Sequence, residues 1–334
     1  MNDRPTRLAS PVFLVLGPCV LSAAALVLGP PSASFAQTGG PSVNKKLDDA
    51  QVRQALQAGP AEDLLRKWDA LPRQTTAKEY DQFLAAHPGL LKMAARPYGS
   101  ALMWSLEFEK AEAALSLLRA GAEVPEGAVT LAARGGMADV IPILVGHGVT
   151  AKDRDLALHA AAKYGHAGTL RLLISLGAAV STPAPLDGFT PLHVAVMERK
   201  IECIQVLLSA HAALEARDHN GQTPLSWGPF AYRPQEQHLY EKLGAPHGTR
   251  YVDPGEAKGI RMLVEAGANL HAKDDAGDTP LHQAVRLGSR RGVEALLALG
   301  AKDNVKNKAG ETPVGLAKKR KDKDILALFS ARPR

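Results

Sequence analysis

A tetrapeptide recurs in this chain at a fixed spacing, and that spacing restricts the folds open to it. Thr-Pro-Leu-His stands at positions 190–193 and again at 279–282, and variants of it begin at Thr223 and Thr312. Thr190 to Thr223 and Thr279 to Thr312 each span 33 residues, whereas Thr223 to Thr279 spans 56, an excess of 23 over one period. A period of this length indicates stacked supersecondary units, which extend in one dimension without enlarging a single core.

Pairs of glycines 12 residues apart give a second landmark, at Gly136/Gly148, Gly165/Gly177, Gly255/Gly267 and Gly288/Gly300. Each pair encloses an apolar-periodic stretch, which indicates a second helix, and an Ala-rich stretch before it indicates the first helix. Together these landmarks predict unit starts near Ser100, Gly127, Leu156, Thr190, Thr223, Thr279 and Thr312.

The combined pattern resembles the ankyrin-repeat family. It consists of TPLHxA, a gapped Gly, a second helix with paired leucines, and Gly-Ala before a polar turn, and it is strongest at Thr190 and Thr279. The resemblance implies an all-α solenoid of about seven helix–turn–helix units with β-turn fingertips, covering residues 100–331. The units starting at Ser100, Gly127 and Leu156 match only in apolar pattern and glycine spacing.

Each letter of the motif has a physical reason. Thr279 is suited to cap a helix through its hydroxyl, and Pro280 suits the first helical position because no amide donor is needed there. The family resemblance implies that His282 reaches back to the capping Thr or across to the neighbouring turn. We therefore expect His159, His193 and His282 to be structural rather than metal ligands or catalytic bases.

The first residues predict export. Arg4 and Arg7 precede an apolar run, Pro11–Leu28, and the small residues that follow fit a signal-peptidase site before Gln37. This interpretation assigns residues 1–36 to a signal peptide and places the mature chain in the periplasm or outside the cell. The alternative is an uncleaved membrane anchor, which its short length and a Gly-Pro pair disfavour. Residues 37–99 are predicted to form a flexible leader followed by a helical N-terminal cap.

No pattern in the chain indicates a catalytic or metal-binding constellation, and we predict no cofactor, no metal and no enzymatic activity. The formal net charge is +6. The densest basic run, Lys318–Asp324, is interrupted by acids, so it is interpreted as a solvated helix face rather than a nucleic-acid site. Cys203 occupies a slot that is apolar in ankyrin units, which predicts a buried thiol.

Stacked repeats expose an extended concave surface. The predicted function is therefore recognition of another protein through this preformed face. By resemblance to the family, contacts come from turn residues before the Thr and from the two residues before the gapped Gly. The module is expected to be a monomer, possible roles being an inhibitor or accessory subunit of a periplasmic enzyme or toxin. The turn candidates are Asp187, Phe189, His219, Asn220, Gln222, Asp275 and Asp278; the helix candidates are Lys163, Tyr164, Met197, Glu198, Arg286 and Leu287.

The 23 extra residues are predicted to lie between the two helices of the Thr223 unit, at residues 229–254, after a shortened first helix. Four aromatic residues in this insertion give two alternatives: a partner-specific epitope, or a plug that fills the space beside the shortened helix. A rival functional hypothesis is an enzyme-associated domain with its site in the same insertion. The insertion adds Phe230, Tyr232, Tyr240 and Tyr251 to the candidate contacts.

Overall fold

A computed structural model describes residues 67–68, 70–71, 75–92, 94–95, 99–229 and 254–331 of the chain. In these residues the secondary structure is helical, apart from a two-residue antiparallel pair in which β1 (Ala94–Ala95) faces β2 (Gly99–Ser100). A 3-10 helix spans Pro88–Lys92. The α-helices are α1 Ala77–Ala86, α2 Ala101–Glu107, α3 Ala111–Arg119, α4 Ala128–Arg134, α5 Ile141–Gly146, α6 Ala151–Tyr164, α7 Ala167–Ser175, α8 Pro191–Met197, α9 Ile201–Ser209, α10 Pro224–Trp227, α11 Pro254–Glu265, α12 Pro280–Leu287, α13 Arg290–Ala298, α14 Pro313–Arg320 and α15 Lys323–Ser330.

From α2 onwards the helices form seven consecutive pairs that stack side by side. First helices pack on first helices, in the order α2, α4, α6, α8, α10, α12 and α14, while α7, α9, α11, α13 and α15 pack in a second row. This is the ankyrin-type helical solenoid that the repeat period predicts, and each unit buries its apolar face mainly against its neighbours. Pro185–Asp187 form a turn that does not belong to the same compact unit as this stack.

Leucine at the third position of the motif fills the layer between units. Leu192, Leu225 and Leu281 each follow a proline at the first helical position, and all three are fully buried. Cys203 is also fully buried, and burial raises the pKa of its thiol to about 11, so the thiol stays protonated. It is a packing residue, as its apolar slot predicts.

Six of the seven predicted unit starts coincide with helix N-caps, and the third one is wrong. The helix assigned to Leu156 starts five residues earlier, at Ala151, because Thr150 and Asp153 form a capping box. In that box the Asp153 amide donates to the Thr150 hydroxyl at 3.2 Å, and the Asp153 carboxylate accepts from the Thr150 amide at 3.1 Å. The apolar pattern located the helix itself. Its N-cap, Thr150, lies before the residues in which that pattern can be recognised.

Helix α1 precedes the first pair. Helix α1 packs on α3, and Trp68 lies against the rings of Tyr80 and Phe83, with centroids 4.8 and 5.5 Å away. The Trp68 indole donates to the Ser105 hydroxyl at 2.8 Å, which attaches this aromatic cluster to α2. The leader and the signal segment lie outside the described residues. Of the helices that are described, none is both long enough and apolar enough to cross a bilayer.

Candidate protein-binding face

The turns before α10, α12 and α14 are closed by one acidic or amide side chain each. The Asp218 carboxylate accepts from the amides of Asn220 and Gln222, at 2.8 and 2.9 Å. Asp274 accepts in the same way from the second and fourth residues after it, and Asn307 accepts from the fourth. These side chains accept from backbone amides that have no partner in a helix or sheet. Because the amides of each fingertip are held in this way, the fingertip has a fixed shape.

Successive fingertips are joined through their backbones. The Asp275 amide donates to the Asn220 carbonyl and the Lys308 amide donates to the Ala276 carbonyl, both at 3.0 Å. Gly277 has a φ of +77°, and a Cβ there would lie 2.8 Å from the Lys308 nitrogen. Only glycine fits both the backbone conformation and this close approach. The three fingertips therefore form one continuous ladder.

The motif histidines join each unit to the next one. The His282 Nδ1 accepts from the Thr279 amide at 3.1 Å and from its hydroxyl at 2.8 Å, while Nε2–H donates to the Glu311 carbonyl at 3.1 Å. His193 makes the same three bonds, with the Gln222 carbonyl as its distant acceptor. The prediction that the motif histidine reaches the capping Thr and the neighbouring turn is confirmed, and burial lowers the pKa of His282.

His159 also bridges units, although its own helix lacks the motif Thr. Its ring nitrogens lie 2.8 Å from the Asp155 carbonyl and 2.9 Å from the Phe189 carbonyl. Within the described residues, no three His, Cys, Asp or Glu side chains gather as a metal ion would require.

Three of the predicted contact residues lie inside the protein instead of on its surface. Asp187 and Phe189 are 6% exposed and Asp278 is 2% exposed. The Phe189 ring stacks on His193 and meets Trp227 edge-on, with centroids 5.7 and 5.0 Å away. The Phe189 ring turns inward because the rings of His193 and Trp227 cover it. We therefore exclude these three side chains from the face.

Asp278 is buried because it anchors a polar network, which could not be predicted from the motif pattern. Its carboxylate accepts from Arg286 Nε at 2.6 Å and from the side-chain amide (Nδ2) of Asn307 at 2.7 Å. Arg286 also lies 3.9 Å from Glu311, which in turn pairs with Lys319 at 2.9 Å. The charged neighbours lower the pKa of Glu311, chiefly through Lys319. This network links the end of α12 to two fingertips, so helix ends and turns share one surface here.

The remaining candidates among the described residues form one surface, which we call the inner face. At its fingertip side His219, Asn220 and Asp275 are exposed and Gln222 is half-buried. At its helix side Tyr164 is 47% exposed and Leu287 is 36% exposed, and these two occupy equivalent positions in their units. The helix-side residues are Lys163, Tyr164, Met197, Glu198, Arg286 and Leu287.

The Thr223 unit interrupts the helix side of this face. Helix α10 has only four residues, and the next described helix, α11, begins at Pro254. Trp227 at the end of α10 donates its indole N–H to Asp218 at 2.9 Å, a contact that motif matching did not predict. The four aromatic candidates of the insertion, Phe230, Tyr232, Tyr240 and Tyr251, lie outside the described residues.

Comparison with known proteins supports the repeat assignment. Family models described as ankyrin repeats (many copies) match residues 158–208 and 263–317. Inversin from Mus musculus is 27% identical over 206 residues, which cover 56% of this chain and 17% of that protein. Rabankyrin-5 from Mus musculus is 31% identical over 154 residues, covering 42% of this chain and 13% of that protein.

A shorter and more similar match is to a tyrosine-protein kinase from Hydra vulgaris. It is 47% identical over 62 residues, which cover 18% of this chain and 8% of the kinase. Since the chain spans at most about a sixth of the length of these relatives, the matches indicate shared repeats and do not transfer the activity of a whole relative.

Proposed function

Because the chain carries ankyrin repeats, we propose that it is an exported, non-enzymatic module that binds another protein through its inner face. Ankyrin repeats are protein–protein interaction modules, and that coarser assignment follows from the matched segments. The inner face supplies what recognition needs: a fixed ladder of turns beside exposed apolar side chains. A preformed surface of this kind binds with little ordering cost.

One observation carries the proposal. Within the described residues, large apolar side chains are exposed at only four positions, and two of these, Tyr164 and Leu287, lie at the same register on first helices. Isolated exposed apolar residues need no explanation, but two that repeat at equivalent positions on first helices do, and one of them, Leu287, lies in a unit of the rigid turn ladder. Tyr and Arg are the residue types that anchor protein interfaces, and Arg286 stands next to Leu287.

The electrostatics of the inner face are mixed. Its fingertip side is acidic at Asp275, which pairs with Arg217 at 3.2 Å, while its helix side offers Lys163 and Arg286. The partner is therefore expected to present both acidic and basic side chains around an apolar centre. We further propose that this partner is met in the periplasm by a chain beginning at Gln37, on the strength of the N-terminal sequence pattern alone.

In-cell cross-linking with quantitative mass spectrometry tests both parts. The double variant Tyr164→Ser with Leu287→Ser removes the apolar pair, and Ile143→Ser, 37% exposed on α5, is the matched control. We expect one protein to be captured by the native chain and the control and to be lost with the double variant. Recovery of the same protein by all three baits would refute the inner face, and a bait mass that retains Met1 would refute export.

A further inference from the structure

Five exposed cations gather where the first helices turn into the second helices in the last two units. This group, called the basic edge, consists of Arg290, Arg291, Arg320, Lys321 and Lys323. Arg290 and Lys323 are one repeat period apart and begin α13 and α15, which pack against each other. Packed helix axes lie roughly 8–10 Å apart, so the two side chains are neighbours on the surface.

Within the described residues, the five cations of the basic edge make no ion pair. Two nearby carboxylates already accept hydrogen bonds from other groups. Asp322 accepts from the Ile325 amide at 3.1 Å, and the buried Glu256 accepts from the Ser289 hydroxyl. Asp324 and Glu294 are exposed on the same two helices. The cations of the inner face differ, because Arg286 pairs with Asp278 at 2.6 Å.

Folding disfavours three of the five cations, whereas Arg320 and Lys321 stand at the end of α14, where the helix dipole favours them. Arg290, Arg291 and Lys323 stand in the first turn of their helices, where the helix dipole favours acidic side chains and disfavours cations. Neighbouring cations also repel one another across the two units. Groups that oppose the stability of the fold at one place are candidates for binding.

Leu287 adds an apolar element beside these charges. It is 36% exposed and lies one repeat period before Arg320, so it stands next to the basic edge on the neighbouring unit. A ligand that fits this surface needs carboxylates around a large apolar side chain. Nucleic acid would leave Leu287 unused, and a single exposed leucine anchors a bilayer weakly.

We propose that the basic edge binds an acidic segment of a protein partner, with an apolar side chain of that segment on Leu287. This inference rests on the proposed protein-binding function and adds the chemistry of the partner. The cations steer the acidic segment and raise its rate of association, while Leu287 holds the encounter at the end of the inner face.

Fluorescence anisotropy with the full chain and a labelled peptide of repeated Glu-Glu-Leu tests the inference. We expect Arg290→Glu with Lys323→Glu to weaken binding by about tenfold or more, because opposite charges become like charges. The matched control, Arg171→Glu with Arg261→Glu, reverses two exposed cations on second helices of other units and should change affinity by less than about twofold at physiological salt, where distant charges are screened.

Four results would overturn the inference. Two concern the peptide: an equal loss of affinity in the edge variant and the control variant, or equal binding of a Gln-Gln-Leu peptide. The other two are tighter binding of an oligonucleotide, or of phosphatidylglycerol vesicles, that the edge variant abolishes. If the charge reversal unfolds the chain, Arg290→Gln with Lys323→Gln gives the same comparison with less repulsion. Ile143→Ser, exposed on α5 and outside both surfaces, should leave peptide binding intact. A failed basic edge therefore remains distinguishable from a failed inner face, which the cross-linking experiment measures.

Discussion

The two motif histidines hold the repeats together through a single protonation state. Nδ1 of His282 must be an acceptor for the Thr279 amide and hydroxyl, so the ring proton sits on Nε2 and points at the Glu311 carbonyl. A second proton, on Nδ1, would break the bond from the Thr279 amide and would require the hydroxyl to accept instead of donate. The ring is fully buried, so no water can accept from that amide in its place.

Acid should therefore destabilise the stack through His282. Burial lowers its pKa in the folded protein, while the unfolded ring takes up a proton near its ordinary value of about 6.5. The unfolded state then binds more protons, so the free energy of unfolding falls as pH drops below that value, until the folded pKa is reached. We expect His282→Gln to be less stable at neutral pH and to show a shallower loss between about pH 7 and 5, measured by urea unfolding.

The exposed His147 supplies the control for that comparison, since His147→Gln should keep the native pH dependence. An identical slope in the His282 variant and the native chain would contradict the assignment. The role of His282 was predictable from its motif, but the direction of the hydroxyl bond was not. Thr312, which lacks a motif His, accepts from the Gly315 amide at 3.1 Å, whereas Thr279 turns to the histidine ring.

At the scale of elements, sequence pattern located six of the seven first helices: the Thr motifs located four, and glycine spacing with Ala-rich stretches located those that begin after Ser100 and Gly127. It failed at α6, where a capping box adds a turn and a half before the apolar pattern begins. It succeeded at α10 because Gly228 and Pro229 replace helix formers, and the helix ends at Trp227. The inward turn of Phe189 was not predictable, since it depends on Trp227 from the next unit.

The insertion after α10 can be replaced without loss of the stack if its role is recognition. Leu225 in α10 is fully buried, and α11 packs on α9 and α13, so both flanking helices have their own contacts. We expect a chain with residues 230–253 replaced by a short Gly/Ser linker to keep its far-ultraviolet circular dichroism. Its affinity for the cross-linked partner should fall about tenfold or more, as for loss of a hot spot.

The control for this replacement is Leu225→Ala, which should destabilise the fold by about 2–5 kcal/mol because it leaves a cavity. Unfolding of the linker variant would favour the plug over the epitope, and full affinity would reject the epitope.

At the scale of the whole molecule, the chain places different chemistry on different surfaces. In the fingertips, the carboxylates of Asp218, Asp274 and Asp278 are engaged in turn and network hydrogen bonds. Unpaired cations lie at the basic edge of the last two units. The sequence alone suggested a solvated face for Lys318–Asp324, because it could not show that Arg290 and Arg291 from the preceding unit join that run.

Stability in such a stack should vary along its length, because each unit depends on its neighbours. Helix α13 packs between α11 and α15 and buries Gly292, Val293, Leu296 and Leu297, whereas α15 buries only Ile325. We expect amide hydrogen exchange to release α15 first, with protection in α13 greater by about tenfold or more, as for sub-global opening. Helix α9, which also has neighbours on both sides, serves as the internal reference and should exchange no faster than α13. Equal protection in α13 and α15 would show instead that the last two units open as one cooperative block, and the basic edge would then form and melt as a single surface.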